Sequence, residues 1–481
     1  MSYQTVIGLE IHVELSTLSK LFCGCSVSFG AKPNTQCCPI CIGVPGVLPV
    51  LNKKAVEYCI KAGLALNCNI AEVSKMDRKN YFYPDLPKAY QVSQYNMPVC
   101  QKGYLDIQTG DETKRIGINR IHIEEDAGKL MHDRSGVGTL IDYNRGGVPL
   151  IEIVTDPDLR SPEESKIFLE SLKSIIEYIN VSDCKMQEGS LRCDVNISVR
   201  PMGQESLGKR VEVKNMNSFR AAFRAMEYEE KRQKALIENG SEVIQETRRW
   251  DDSEGKTYSM RSKEEAHDYK YFPEPDLVPI VINSKWLESI KSEIPELPFQ
   301  KKIRYIETLG LSSYDVDVLT SSHHLAKLFE QTLLEYPKPK IVANWIMGDY
   351  LRILNDRGIS IEAQPIYPSS LAKLLLLIDK GEISGTIAKT VFELMFDTGE
   401  DPDSIIEQKG LKQITDTDEI ERIVDQIIAQ NPKSVEDFIE GKTKALGFLV
   451  GQAMRATQGK ANPPLLNEIL SRKLESFRNA F

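Results

Sequence analysis

The chain opens on a strict two-residue alternation. Ile7, Leu9, Ile11, Val13 and Leu15 are apolar, and Glu10, His12 and Glu14 fall between them. Successive side chains of a strand point to opposite faces. The spacing therefore predicts a strand with one apolar side and, on the other, an imidazole flanked by two carboxylates. The same habit recurs in "RIGINRIHIEEDAG", "VPLIEIVTD", "RCDVNISVRP" and "KRVEVKN". Between these runs, "SPEESKIFLESLKSIIEYI" and "SFRAAFRAMEYEEKRQKALIENG" carry apolar residues at three- and four-residue spacing and read as helices. Hairpin-length gaps between several strands favour an antiparallel or mixed sheet over a doubly wound one.

The pattern changes twice along the chain. "SEIPELPFQKK", with two prolines, marks a boundary near residue 295. From there to about 408 the periodicity is helical, as in "HHLAKLFEQTLLEY", "PKIVANWIMGDYLRIL" and "PSSLAKLLLLIDKGEIS". "DPDSIIEQKG" reads as the next junction, and residues 409–481 as several short helices. The expected class is α+β: a mixed-sheet domain over 1–294, an all-α domain over 295–408 and an all-α tail over 409–481. No repeat or low-complexity tract interrupts this plan.

Length and composition agree with several domains. The 481 residues, 41% hydrophobic and 27% charged, are those of an ordinary globular protein. No apolar run reaches the about 18 residues a membrane span needs, and "MSYQTVIGLE" lacks the features of a signal peptide. A cytoplasmic enzyme or a component of a complex, with no membrane association, is expected. A net charge of −9 argues against general coating of nucleic acid. The stretch from Gly441 reverses that sign, with seven Lys or Arg against two Glu. Lys442, Lys444, Arg455 and Lys460 are its candidate contacts to a polyanion; the alternative is a solvated helical face.

Five of the ten cysteines lie between Cys23 and Cys41. A cytosolic chain, the expectation here, seldom keeps disulfides, so such a cluster points to metal or catalysis. "CGC" and "CCPIC" supply two pairs. Cys23, Cys25, Cys38 and Cys41 are the favoured set for a structural zinc over residues 23–41, since Cys38 and Cys41 have the spacing of a zinc knuckle. Cys37 is then spare. The alternative is a group of reduced buried thiols.

The charged faces carry the candidate chemistry. "NRIHIEEDAGKL" holds His122, Glu124, Glu125 and Asp126, and "IDYNRGGVPLIEIVTDPD" holds Arg145 and Glu152. "MQEGSLRCDVNISVRP" and "RVEVKNMNSF" add Arg192, Asp194, Glu212 and Lys214. Carboxylates massed on one open face repel one another unless cations neutralise them, and oxygen-rich sites of this kind suit Mg²⁺ bridging phosphates. Lys79, Arg145, Arg192 and Lys214 suit phosphate oxygens and developing charge. Phosphoryl transfer on a sheet is the functional reading, with Lys79, Arg145, Asp194, Glu212 and Lys214 as candidate catalytic residues. No G-x-x-x-x-G-K-S/T loop, G-x-S-x-G, H-E-x-x-H or amidase Ser-Ser-Lys pattern is present. The histidines of "SSHHLAKL" read as packing.

These motifs resemble one family over essentially the whole chain, the B subunits of bacterial aspartyl/glutamyl-tRNA(Asn/Gln) amidotransferases. The matching stretches include "IGLEIHVEL", "CPICIGVPGVLPVLN", "RKNYFYPDLPKAYQVSQYNMP", "IHIEEDAGKL", "DYNRGGVPLIEIVTDPD", "MQEGSLRCDVNIS", "EVKNMNSF" and "SKEEAHDYKYFPEPDL". The resemblance implies a cradle-shaped catalytic domain similar to the sheet of glutamine synthetase, a helical domain, and a YqeY-like tail that contacts tRNA. It implies ATP-dependent conversion of Glu-tRNA(Gln) and Asp-tRNA(Asn) to Gln-tRNA(Gln) and Asn-tRNA(Asn). In that reaction this chain phosphorylates the side-chain carboxylate and receives ammonia that an amidase partner releases from glutamine, in a heterotrimer completed by a third, small partner chain. It implies Mg²⁺ on the cradle face, held by Glu10 and His12 with Glu124, Glu125 and Glu152; Glu14 is left between a supporting and a surface role. The cysteine set fits those family members that bind zinc. Two other readings are a non-catalytic tRNA-binding adaptor, which has no need of five ligands, and an enzyme acting on free glutamate, which leaves the basic tail unexplained.

Overall fold

The computed structural model describes residues 2–480 apart from 111, 133–137, 263–268, 364, 414–415, 443 and 458. Most of the "SKEEAHD" stretch therefore lies outside the described residues. The chain divides into two compact units, Met1–Pro298 and Phe299–Phe481.

In the first unit, among the described residues, nine strands form one sheet. They are β1 (Tyr3–Glu14), β2 (Asn69–Ile70), β3 (Cys100–Thr109), β4 (Glu112–Glu125), β5 (Pro149–Thr155), β6 (Leu191–Pro201), β7 (Val211–Lys214), β8 (Glu246–Asp251) and β9 (Lys256–Ser262). Their spatial order is β9-β8-β7-β6-β1-β5-β4-β3-β2. β7 and β8 pair in parallel, and the other neighbours are antiparallel. The sheet is thus mixed and mostly antiparallel, as the hairpin spacing predicts.

One face is sealed. Helices α1 (Lys53–Ala65), α2 (Pro162–Tyr178) and α3 (Phe219–Glu238) bring Ile60, Phe168, Leu172 and Met226 into one cluster with Ile7, Leu9, Ile11, Ile123, Ile153 and Val195. Burial of each such side chain contributes about 1.5–3 kcal/mol. Ser161 and Ser218 start α2 and α3 by accepting hydrogen bonds from the Glu164 and Ala221 amides. Burying this face also fixes the register, because a slip of one residue would turn Glu10 and His12 into the core.

A smaller sheet pairs Asp77–Asn80 with Tyr90–Ser93 and with Phe272–Pro273. Its Ser93 hydroxyl donates to Glu124 Oε2 at 3.1 Å, which brings it against the charged face of the large sheet.

The second unit is helical throughout its described elements. It contains two apolar clusters, one from Tyr305 to Ile406 and one from Ile420 to Leu474. Between them the helix Pro402–Lys409 stops at Gly410, whose φ of 57° is left-handed.

Candidate active site and metal centres

The register of β1, β5 and β4 lines up the first cluster. His12 lies opposite Glu152, and Glu152 opposite His122. Glu124 follows two residues along β4 on the same face. His12 Nε2 stands 3.5 Å from Glu124 Oε1 and 3.6 Å from Glu152 Oε2. His122 Nε2 stands 3.3 Å from Glu152 and 3.7 Å from Glu124.

The electrostatics follow from burial and pairing. Burial opposes the charge on His12, but Glu124 and Glu152 outweigh it and raise the imidazole to about 10. Burial and the neighbouring Glu152 push Glu124 up, yet His12, His122 and Lys79 hold it well below the usual carboxylate range. Glu152 is held down in the same way, chiefly by His122 against its own burial. Lys79 also stays charged against burial through Glu124. Two ionised carboxylates, and His12 once a cation has displaced its proton, each offer an atom within 4.8 Å of the others and fit one divalent cation.

A second cluster lies across β1, β6 and β7. Glu10 faces Asp194, and Asn196, on the same side of β6, faces Glu212. Carboxylate oxygens of Glu10, Asp194 and Glu212 all lie within 4.8 Å of one another, a second oxygen-only group with the donor chemistry of a divalent ion. Its surroundings hold it in place. Asn196 Nδ2 donates to Glu10 at 2.8 Å, and Thr247 Oγ1 donates to Glu212 at 2.8 Å. Lys214 donates to Asp194 and lies 3.2 Å from Glu212; these carboxylates keep it charged against burial.

The five expected magnesium ligands are therefore divided. His12, Glu124 and Glu152 meet in one cluster, Glu10 joins Asp194 and Glu212 in the other, and Glu125 is in neither. As the neighbour of Glu124 on a strand, Glu125 points to the opposite face. There Lys88 Nζ binds both of its oxygens, at 2.5 and 2.7 Å, and the Val92 amide donates to it at 2.8 Å.

Arg145 also stands apart from both clusters. It donates to the carbonyls of Ala127 and Gly128 and lies 3.5 Å from Asp126. Arg192 reaches Asp126 at 2.7 Å. Glu14 is no free surface residue: burial and then the charge of Asp126 push its carboxyl up to about 8. Alternation along β4 already placed His122 beside Glu124. Ser93, Asn196 and Thr247 carry no comparable signal, since only the pairing of distant strands brings them to the carboxylates.

Cys23, Cys25, Cys38 and Cys41 offer sulfurs within 4.8 Å of one another. A tetrahedral zinc with bonds of about 2.3 Å spaces its sulfurs about 3.8 Å apart, so this donor set fits zinc. A hydrogen bond from Cys23 holds the Cys41 thiol down at about 4, with Lys20 adding its charge from 3.7 Å, while burial pushes Cys25 up to about 11. Cys37 turns toward Asn144 instead.

In the tail, Lys442 is taken up by Asp437 and Glu440. Arg472 and Lys473 are taken up by Glu421 and Asp425. Lys444 and Arg455 are exposed and Lys460 is half-buried, and none of the three has an ion pair among the described residues.

Comparison with known proteins gives the chain its relatives. Residues 5–288 match the family model described as the GatB/GatE catalytic domain, and residues 327–474 match the GatB domain. The B subunit of an aspartyl/glutamyl-tRNA(Asn/Gln) amidotransferase from Caldicellulosiruptor saccharolyticus is 62% identical over 478 residues, covering 99% of this chain and 100% of the relative. The protein of the same name from Thermoanaerobacter sp. (strain X514) is 59% identical over 98% of this chain and 100% of its own length. The one from Moorella thermoacetica is 55% identical over the same shares. With both halves of its length matched and its sheet carrying two carboxylate clusters on one face, the chain belongs to the GatB/GatE family, as a B subunit of the aspartyl/glutamyl-tRNA amidotransferase type.

Proposed function

We propose that this chain uses ATP to activate the side-chain carboxylate of glutamate or aspartate esterified to tRNA, and then passes it to ammonia. The observation that carries the reading is the pair of clusters, His12–Glu124–Glu152 and Glu10–Asp194–Glu212, on one face of one sheet. The relatives' names supply the substrate: each belongs to an amidotransferase acting on aspartyl- or glutamyl-tRNA. A carboxylate oxygen attacks the γ-phosphorus, the bond to the bridging oxygen breaks, and ADP leaves with the electron pair. The nitrogen of ammonia then adds to the carbonyl carbon of the acyl phosphate, phosphate departs, and a proton is lost from nitrogen.

Lys79 and Lys214, each kept charged by its cluster, stand where phosphate oxygens need neutralising. Against their burial, Glu124 and Glu152 are held ionised by His12 and His122. Mg²⁺ held by the clusters would supply neutralisation of the phosphate oxygens in the transition state. The ammonia comes from an amidase partner in a heterotrimer completed by a third, small chain, working in the cytoplasm where tRNA is charged. Among the described residues no helix is long and apolar enough to cross a membrane.

The test is incubation of the assembled complex with γ-labelled ATP and Glu-tRNA(Gln), Asp-tRNA(Asn) or free glutamate. Label release with charged tRNA alone is expected. Release with free glutamate would move the chain to amino-acid ligation, and an absence of any release would leave it a tRNA adaptor.

The cysteine set is proposed as a structural zinc site. Freshly prepared protein then carries about one zinc, and Cys38→Ser removes it and loosens residues 23–41, because thiolate coordination and local folding are coupled. Cys37→Ser keeps the metal. Elemental analysis finding no zinc in unchelated protein would end this assignment.

The tail is proposed to hold tRNA through Lys444, Arg455 and Lys460, with Lys442 contributing less because Asp437 and Glu440 already engage it. Arg455→Ala should raise the KM for Glu-tRNA several-fold and lower the slope of log affinity against log salt by about one. Lys442→Ala should change both less. Equal effects of the two substitutions would contradict this ranking.

A further inference from the structure

Beside Lys79 the chain assembles four tyrosines that neither cluster uses. Lys79 Nζ lies 5.2 Å from the ring centre of Tyr269. Tyr269 meets Tyr81 edge-on at 5.8 Å and Tyr271 edge-on at 6.1 Å. Tyr271 in turn stacks on Tyr95, with ring centres 4.4 Å apart and planes within 11°.

The row is graded from inside to outside. At its inner end Tyr269 lies against Lys79 and Tyr81 packs on Tyr269. At its outer end Tyr95 is 62% exposed. Its backbone is nevertheless fixed, because the Tyr95 amide donates to the buried Asp77 carboxylate at 2.9 Å. The result is an aromatic row, tied to the small sheet at Tyr95, that ends in an open ring. A base adding to such a stack gains a partner without ordering the wall first.

We propose that the Tyr271–Tyr95 stack seats an adenine base, with the ribose side of the nucleotide directed past Lys79 toward the His12–Glu124–Glu152 cluster. This rests on the function proposed above, in which both large substrates end in adenosine: ATP itself, and the aminoacylated 3′ end of tRNA. Stacking on tyrosine suits either source, since every base offers a π-face. The chain between base and reacting group then runs from the aromatic row to the carboxylates on one side of the sheet.

The test uses the assembled complex with Tyr95→Ala and Tyr95→Phe, measuring KM separately for ATP and for Glu-tRNA. Tyr95→Ala is expected to raise the KM of one of them about 5- to 150-fold, the range for losing one base–aromatic stack, with kcat within about twofold of the unaltered complex. Tyr95→Phe is expected to stay within about twofold throughout. A rise for ATP assigns the seat to the nucleotide, and a rise for Glu-tRNA assigns it to the terminal adenosine. Unchanged KM values for both substrates, or a Phe variant as impaired as the Ala variant, would overturn the proposal. So would failure of the Tyr95→Ala complex to assemble, which would make the stack a protein-binding surface. Because the unaltered complex is assayed alongside, failure of amide formation itself would strike the underlying reading and not the tyrosine seat.

Discussion

Replacing His12 with alanine is expected to lower amide formation by the assembled complex about 1,000-fold or more, while glutamine hydrolysis in the proposed amidase partner and tRNA binding stay close to normal. The imidazole sits between Glu124 and Glu152 at 3.5 and 3.6 Å. Removing it takes away one donor of the proposed cation site and leaves two buried carboxylates with His122 as their remaining close imidazole. Neutralising phosphate charge contributes several kcal/mol to a phosphoryl-transfer transition state, and each 1.36 kcal/mol is about tenfold in rate. Single-turnover conversion of Glu-tRNA to Gln-tRNA measures the loss. Mn²⁺ titration followed by electron paramagnetic resonance measures whether one divalent ion disappears. Glu125→Gln provides the contrast: it weakens the Lys88 pair on the opposite face and should leave the ion stoichiometry unaltered. Normal transamidation by the His12→Ala complex would remove this cluster from the mechanism.

Asp194→Ala should cost about 100- to 1,000-fold in the same assay and remove the other divalent ion. Asp194 contributes to the oxygen-only cluster with Glu10 and Glu212 and is the acceptor for Lys214. Alanine therefore deletes a ligand atom and frees the lysine toward Glu212, 3.2 Å away. Titration of this variant should retain the His12 site. If both clusters act on one phosphoryl group, combining His12→Ala with Asp194→Ala should cost far less than the product of the two losses, because groups that act as a unit are not additive. A full multiplicative loss, or unaltered ion stoichiometry in Asp194→Ala, would contradict the two-cluster account.

The strands and their inward and outward faces were legible in the sequence because alternation is a local property. Ile7, Leu9, Ile11 and Val13 mark the buried side of β1 as clearly in the sequence as in the packed sheet. The grouping of ligands was not legible to the same degree. Alternation puts Glu10 and His12 on one face, but which cluster each joins depends on the strand beside it: β6 and then β7 for Glu10, β5 and then β4 for His12. The separation of Glu124 from Glu125 is a matter of period two, and it was readable in principle from their adjacency. Lys88, which claims Glu125, comes from a turn distant in sequence, and no periodicity announces it. In the tail, counting charges gave the sign of the segment, but not that Asp437, Glu421 and Asp425 take up several of its cations.

The most direct test of the central claim is isotopic. Glu-tRNA(Gln) carrying ¹⁸O in both side-chain carboxylate oxygens is converted by the complex with unlabelled ATP, and the inorganic phosphate is analysed by mass spectrometry. Activation of the carboxylate by phosphorylation predicts one ¹⁸O in each phosphate released with Gln-tRNA formation. Phosphate free of ¹⁸O, with Gln-tRNA formed at the normal rate, would contradict the account.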